Sequence, residues 1–499
     1  MLRTATKNLY LYILGGLVFG SGFILPLAWW WGILGTSLYL LAWSRTNSFK
    51  TKLLGSYLTI AIVISFPTAI FWSVYPIEWV ELNLGWYELL IVIGKWLVTS
   101  MVFGFGGVIL ACGLELVKRS AGSVWVLVCF PFLWVLSEIV RSLLYSGFVL
   151  GNGNSLNIKN SVGYLGYLVG EHPWLLLFAK WGGVYGLSLV GAALGVWLFF
   201  VYQQTKNTKV ILATAMVGVV LIFSTNSNSP VRSNMIGDKG LTIAVINTNF
   251  GGRDFHQLPD SINERLRLTT AAVEAALATK ADYIVLPEEA RFTPLNITNP
   301  LSIYQLFRAK YNQPQTTLVD STSIKASGGG AHLRAFVYDG VTQGAWVTDK
   351  QYMTPLGEYV PTIFKWTLKA LGLEAAILKL DSLLALKPGP VKTQRDFPSH
   401  IPGILFCFEA LDPLSVKKLS RERVVPFVVH PISHAWFHDS QLLDRQLDQI
   451  LRIHAVWNQI TIVSAGNMVW GKVYLPNGQI VIPAKNLEGE RWSLSLLSW

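Results

Sequence analysis

The sequence predicts an all-α transmembrane bundle of about seven helices followed by an α/β, or layered α+β, domain. Two observations predict it. The 499 residues are 52% hydrophobic and only 14% charged, whereas soluble globular proteins carry about 25% charged residues. The excess is also uneven. Residues 9–225 form long apolar runs, and residues 240–499 have the composition of one soluble domain. The expected division is 1–228 for the membrane part and 229–499 for the outer domain. A net charge of +11 suits an anionic lipid surface. Many of the basic residues lie in short loops between apolar runs, which disfavours a nucleic-acid binder. Cys112 and Cys129 lie in apolar runs, so no disulfide framework is implied.

Apolar runs occur at about 9–25, 27–43, 53–73, 89–114, 123–145, 174–201 and 210–225. A helix needs about 20 residues to cross a bilayer, so these are seven candidate spans. The first two share Pro26 and could form a tight hairpin. A signal peptide is disfavoured for the first, because no small-x-small cleavage site follows it. The N-terminus and the second, fourth and sixth loops carry Arg3, Lys7, Arg45, Lys50, Lys52, Lys118, Arg119, Lys206 and Lys209. The alternate loops carry almost no basic residue except Lys159, and the loop at 74–88 has Glu78, Glu81 and Glu88. The positive-inside rule therefore puts the N-terminus in the cytoplasm and, after seven crossings, the C-terminal domain outside. Lys95, Glu138, Arg141 and Lys180 interrupt the apolar runs. Such groups face partners or a wet cavity. Glu138 and Arg141 are three apart and can pair on one helix. An internal pair that locks helix packing and a lipid-headgroup contact are the two readings.

In the outer half, Leu241–Asn249 is a predicted strand and Ser261–Thr279 a helix. Tyr283–Leu286 is a short buried strand ending in Pro287-Glu288-Glu289. Further strands are expected at Leu333–Tyr338, Ala345–Thr348, Gly403–Phe408, Val424–Val429, Thr461–Ser464 and Gln479–Ile482, and helices at Leu301–Lys310 and Leu442–Val456. Early alternation followed by clustered strands gives the α/β or layered α+β class. Pro361–Lys387 is rich in leucine with interspersed lysines. It suits a helix lying on a bilayer and lidding Cys407, or one packed on its own domain.

Three polar positions stand out. Glu288 follows a buried strand, Lys350 follows another, and Cys407 lies near the C-terminal end of the Gly403–Phe408 run. Glu409 would share the face of Cys407 if that strand continued. A cysteine nucleophile needs a base, because a free thiol ionises at about 8.5. A carboxylate can take the proton, and a lysine can stabilise the oxyanion formed at a carbonyl. The bland alternative is a small buried hydrophobe at Cys407. His430, His434 and His438 recur every four residues, but Pro431 and the following Ala-Trp-Phe indicate a loop rather than a metal-binding helix.

The carrying motifs are ADYIVLPEEA (281–290), DKQYMTPLGEYVP (349–361), CFEAL (407–411) and HAWFHDS (434–440). With FPFLWVLSEIVRSLLYSGF (130–148) and GGVYGLSLVG (182–191), they resemble the apolipoprotein N-acyltransferase family, a transmembrane bundle carrying a nitrilase-superfamily domain. The resemblance implies an αββα sandwich. It implies Glu288 as general base, Lys350 as oxyanion stabiliser, Cys407 as nucleophile and Glu358 as a further active-site carboxylate. Phe408 and Glu409 match the two residues after the family's nucleophile, where Tyr-Glu is usual. Trp436 matches an aromatic near the acyl-chain entrance.

The implied reaction moves an acyl chain from a phospholipid, through a Cys407 thioester, to the α-amine of a diacylglyceryl-cysteine lipoprotein, with no metal or organic cofactor. A monomer in the bacterial inner membrane, with a periplasmic catalytic domain, is the matching expectation. Departures fall at His434 and His438 around the Ala-Trp-Phe motif, at Arg445-Gln446, and at Ile453-His454-Ala455-Val456. The family's usual final transmembrane helix has no counterpart after the last strand. These departures keep two alternatives open: an acyltransferase or amidase acting on another lipid-linked substrate, or a non-catalytic membrane paralogue.

Overall fold

The computed structural model describes residues 2–77, 86–204, 240–252, 259–293, 304–305, 308–313, 315–326, 329–370 and 372–498, with position 314 outside that set. Five long helices open the chain: α1 (Leu2–Ser21), α2 (Trp29–Arg45), α3 (Phe49–Ser65), α4 (Trp86–Ala121) and α5 (Ser123–Phe148). Two short ones follow, α6 (Leu165–Val169) and α7 (Pro173–Leu176), and then the long α8 (Ala179–Gln203). Six of the seven apolar runs are thus helical; the run at 210–225 lies outside the described residues, as do Glu78, Glu81, Lys206 and Lys209. By length and composition, α4, α5 and α8 can each cross a membrane. The bent pair of α3 with the 3-10 turn Pro67–Val74 makes a fourth candidate, so the described residues support fewer than the seven crossings expected. Leu97, Phe105, Val128 and Phe132 are exposed on the outer faces of α4 and α5, as lipid-facing side chains are.

The helix ends sort into two groups. Asn8 donates to the Arg45 carbonyl, Arg45 to the Tyr202 hydroxyl, and Lys52 pairs with Glu115 at 2.9 Å. This is the basic end. The outer domain docks on the opposite ends of α1, α3 and α5. Arg445 donates to the Ile24 carbonyl, Gln446 to that of Pro67, and the Tyr359 hydroxyl to that of Val149. Gly183 helps to fix the docking. Its φ is +58°, and a Cβ there would sit 1.9 Å from the Trp457 ring of the outer domain. Only glycine allows that approach at that backbone angle.

The outer domain holds β1 (Thr242–Thr248), α9 (Pro259–Ala278), β2 (Tyr283–Val285), β3 (Thr317–Lys325), β4 (Ala331–Tyr338) and β5 (Ala345–Asp349). It continues with α10 (Thr362–Ala370), α11 (Glu374–Leu383), β6 (Gly403–Ile404), α12 (Ser415–Glu422), β7 (Val428–Ser433), α13 (Gln441–Asn458) and β8 (Ile462–Asn467). Four strands close it: β9 (Val473–Tyr474), β10 (Ile480–Val481), β11 (Leu487–Gly489) and β12 (Trp492–Ser498). β1 and β2 pair in parallel, as do β2 and β3; β4 and β5 continue antiparallel, and β12 lies antiparallel along β1. β6, β7 and β8 form a second parallel run.

Alternation along the strands builds the layers. Ile243 and Val245 of β1 meet Val429 of β7 and Val463 of β8 in one core. Ala244 and Ile246 turn the other way, onto Ala272, Val273 and Ala276 of α9. Val428 and Ile462 turn away from the central core, onto Leu451 and Val456 of α13. The order is helix, strand layer, strand layer, helix, with the two strand layers joined where Thr248 of β1 pairs with Asn467 of β8; this is the αββα sandwich that the resemblance implied. The same outer core continues into Leu165 and Val184 of the bundle, so α13 is shared between the domain and the membrane part.

Several expected elements differ. The strand expected at 403–408 ends at Ile404, because the Glu409 carboxylate takes the Phe406 N–H and turns the chain. The strand expected at 424–429 lies at Val428–Ser433 and includes Pro431. Proline is tolerated there because β6 pairs only as far as Val429 and needs no donor beyond it. Pro361–Lys387 forms α10 and α11, tied by Lys365 to Asp381 at 2.6 Å, with no residue of either helix buried. Trp366 and Leu378 are exposed on them. The expected helix 301–310 lies partly outside the described residues.

Candidate active site

Short buried strands deliver the polar groups. β2 ends at Val285, and three residues later Glu288 is buried at the end of that sheet. β5 ends at Asp349, whose carboxylate is held by Arg334 of β4 at 2.6 and 2.9 Å, so the next residue, Lys350, is fixed in direction. The Lys350 backbone is held at both ends, by the Leu333 carbonyl and the Gly389 N–H. Its ammonium, itself buried, donates to Glu288 Oε1 at 3.0 Å and to Glu358 Oε1 at 2.7 Å. Glu358 is oriented by its second oxygen, which accepts the Thr354 N–H at 2.7 Å. Glu288, Lys350 and Glu358 therefore meet in one cluster.

Cys407 opens a 3-10 turn, Cys407–Leu411. It is not on a strand face with Glu409. The Glu409 carboxylate instead accepts N–H groups from Gln351, Tyr352 and Phe406, at 2.6, 3.2 and 3.2 Å. Glu409 thereby clamps the Cys407 turn to the segment that carries Lys350. From the other side, His430 Nε2 donates to the Cys407 carbonyl at 3.1 Å and His454 Nε2 to the Ala410 carbonyl at 2.8 Å. Neither histidine was singled out for this turn from the sequence, since one sits beside Pro431 and the other mid-helix. His430 lies in β7, His434 just beyond it, and His438 donates to the Pro76 carbonyl, so the three sit in different surroundings.

The electrostatics favour a resting thiol. Burial pushes the Cys407 thiol up, the Glu288 carboxylate pushes it further, and Lys350 together with the Ser433 N–H pulls it back. Burial also lifts Glu288, to about 7, against the pull of Lys350 and with the push of Glu358. Burial works against the charge on Lys350, but Glu288, Glu358 and Cys407 outweigh it and hold the ammonium protonated. Burial depresses His430 to about 3 and His434 to about 4, so both are neutral. A thiol, a carboxylate able to take its proton near neutrality and a fixed cation thus lie within one another's electrostatic reach.

Cys407 also lines an apolar cavity between the domain and the bundle. Phe408, Phe437 and Leu447 line it from the domain, and Phe71, Phe103 and Tyr145 from the Pro67–Val74 turn, α4 and α5. Phe408 packs on Tyr352, ring centroids 5.1 Å apart. Trp436, expected beside an acyl-chain entrance, is half-buried, and the next residue, Phe437, takes the place in the lining. Neither α10 nor α11 contributes to that lining, so they do not lid Cys407. The ion pair in the bundle is outside it too. Glu138 and Arg141 are buried at 4.0 Å, with Glu138 also accepting from Trp134 and the Leu165 N–H, and Arg141 donating to the Gly163 carbonyl. Lys180 is exposed at the start of α8.

No family model matches the chain. Among curated proteins it is similar to apolipoprotein N-acyltransferase of Prochlorococcus marinus subsp. pastoris, 24% identical over 389 residues, covering 74% of this chain and 71% of that protein. It is also similar to the protein of that name from Ralstonia nicotianae, 24% identical, covering 70% of this chain and 62% of that protein. The one from Geobacter metallireducens is 25% identical, covering 91% of this chain and 82% of that protein. The chain thus spans less than two thirds of the Ralstonia relative. Among solved structures, an amidase from Nesterenkonia sp. AN1 in complex with acrylamide overlaps 53% of this chain and 93% of its own, at 13% identity and a TM-score of 0.32. A glutamine-dependent NAD+ synthetase from Acinetobacter baumannii overlaps 52% and 46%, at 16% identity and a TM-score of 0.33. Overlaps that slight leave the layer order to be read from this chain's own cores.

Proposed function

We propose that the chain is a divergent acyltransferase of the apolipoprotein N-acyltransferase family and that it moves an acyl chain from a phospholipid to the α-amine of a diacylglyceryl-cysteine lipoprotein by way of a thioester on Cys407. In the first half-reaction Glu288 takes the Cys407 proton and the thiolate attacks the ester carbonyl. The Lys350 ammonium faces the oxyanion that forms, where a fixed cation in a dry site is worth most. The C–O bond breaks, the lysophospholipid oxygen recovers the proton from Glu288, and the thioester remains. In the second half, the lipoprotein amine attacks the thioester, Glu288 accepts the amine proton, and the C–S bond breaks to give an amide. The thiolate then regains its proton. Glu358 holds Lys350, Glu409 holds the turn, and Phe408 and Trp436 belong to the substrate side.

The observation that carries this reading is the apolar cavity that runs from Cys407 to the bundle. An acyl chain lying against α4 and α5 can meet the nucleophile without crossing water. The protein is then integral to the bacterial inner membrane, with the basic helix ends in the cytoplasm, 229–499 as the periplasmic domain and 1–228 as the membrane domain.

The test is acylation of the detergent-purified protein by a phospholipid with a labelled acyl chain. Label on the protein that hydroxylamine removes, that Cys407→Ala abolishes, and that a diacylglyceryl-cysteine peptide discharges is the expected result. Folded protein that takes no label from any phospholipid would sink the reading.

A further inference from the structure

Lys95 is an unusual wall for an apolar cavity. It lines the same cavity as Cys407, and among the described residues of that lining it is the one lysine, arginine, aspartate or glutamate. Its ammonium donates to the Pro355 carbonyl at 3.2 Å and lies 4.4 Å from the Phe71 ring centroid. Among the described residues no carboxylate pairs with it within 4 Å. A cation on a membrane helix is costly and faces a partner or a wet cavity; here it is hydrogen-bonded to an uncharged carbonyl, which leaves its charge unbalanced. His434, the other ionisable nitrogen base in the lining, is neutral near pH 7, so Lys95 sets the sign of the cavity.

The position along α4 says which anion. From Trp96 to Leu114 the helix carries no charged residue, and the stretch is bounded by Lys95 on one side and Glu115 on the other. At 1.5 Å per residue that stretch is about 28 Å long, close to the roughly 30 Å of a bilayer's hydrocarbon core. Glu115 lies at the basic end with Lys52 and Arg119. Lys95 therefore sits one hydrocarbon thickness away, at the level of the opposite headgroups. In a glycerophospholipid the phosphate is separated from the ester carbonyls only by the glycerol carbons.

We propose that Lys95 binds the phosphate of the glycerophospholipid acyl donor and so sets the protein's preference for a phosphate-bearing donor at Cys407. The proposal rests on the acyl-transfer reading above and deepens it. The bond to Pro355 links the phosphate site to the loop that carries Glu358. A charge-assisted hydrogen bond of this kind is worth about a tenfold to a hundredfold in affinity.

The experiment compares two donors with identical labelled acyl chains in the same detergent micelles: phosphatidylglycerol and uncharged diacylglycerol. The readout is hydroxylamine-sensitive label on Cys407, as a function of donor mole fraction. The wild type is expected to prefer phosphatidylglycerol. Lys95→Met should raise its half-saturating mole fraction about tenfold to a hundredfold while leaving diacylglycerol unchanged. Lys95→Arg should keep the preference, which separates loss of charge from loss of fold. Equal losses with both donors would mean that the ammonium only holds the Pro355 carbonyl, and would overturn the proposal. So would competition by inorganic phosphate at micelle-matched concentration, which would assign the site to a soluble anion. Label from neither donor in folded wild type would instead overturn the acyl-transfer reading itself.

Discussion

Glu138 with Arg141 in the bundle, and Lys350 with Glu288 and Glu358 in the outer domain, both bury ions, yet they are finished differently. In the bundle the carboxylate and the guanidinium take backbone partners beyond α5: the Leu165 N–H at the start of α6 and the Gly163 carbonyl of the loop before it. The pair balances one charge with one charge and fixes a loop against a helix. In the domain one ammonium faces two carboxylates, so the cluster holds a surplus negative charge next to a thiol. Burial, with the added push of the Glu358 carboxylate, raises Glu288 into the range where it can exchange a proton near neutrality. A closed pair serves packing, and an unbalanced cluster beside a cavity serves chemistry.

The largest effect that can break this contrast is expected at Lys350. Lys350→Met keeps an unbranched side chain one atom shorter and removes the charge that faces the oxyanion. Thioester formation from labelled phospholipid should fall by about a hundredfold to a thousandfold, the scale for loss of an oxyanion-stabilising group. A fall of less than about tenfold would remove Lys350 from that role.

Next in size is the bundle pair. Glu138→Ala leaves Arg141 buried without its counter-ion, which costs about 3–5 kcal/mol when one partner of a buried pair is removed. The melting temperature in detergent should drop, while the pH dependence of Cys407 acylation stays where it was. A moved pH profile with an unchanged melting temperature would reverse the contrast and make the pair functional.

The two regions also differed in how much their sequence revealed. Helices in the bundle announce themselves through apolar runs, because lipid demands internally bonded backbone over a fixed length. In the domain, β1 and β2 were legible as apolar strands, but β3 was hidden. Its sequence, Thr317–Lys325, buries Asp320, Ser321 and Thr322. Asp320 is satisfied by the Phe292 and Thr293 N–H groups of a loop far away in sequence, so no local pattern betrays it. β12 escaped for a related reason: Ser493 and Ser495 are buried among its apolar residues. The Glu–Lys–Cys set was legible only through motif resemblance, since the cluster gathers residues 62 apart between Glu288 and Lys350 alone. Lys95 showed as a charge inside an apolar run, but its place beside Cys407 depends on how the domain docks.

The smallest expected effect concerns the surplus charge itself. Glu288 acts as a base only when ionised, and it sits at about 7. Acylation of Cys407 should therefore decline as pH falls below neutrality, with the acid limb centred near 7. Part of that elevation comes from the Glu358 carboxylate, whose charge disfavours a second anion nearby. Glu358→Gln removes the repulsion and leaves Lys350 with one anionic partner instead of two. Both changes favour ionised Glu288, so the acid limb should move to lower pH while the rate at its plateau falls. The measurement is the initial rate of label transfer between pH 5 and pH 9, wild type against variant. An acid limb that stays in place would mean that another group carries it, and Glu288 would lose its assignment as the base that the surplus charge tunes.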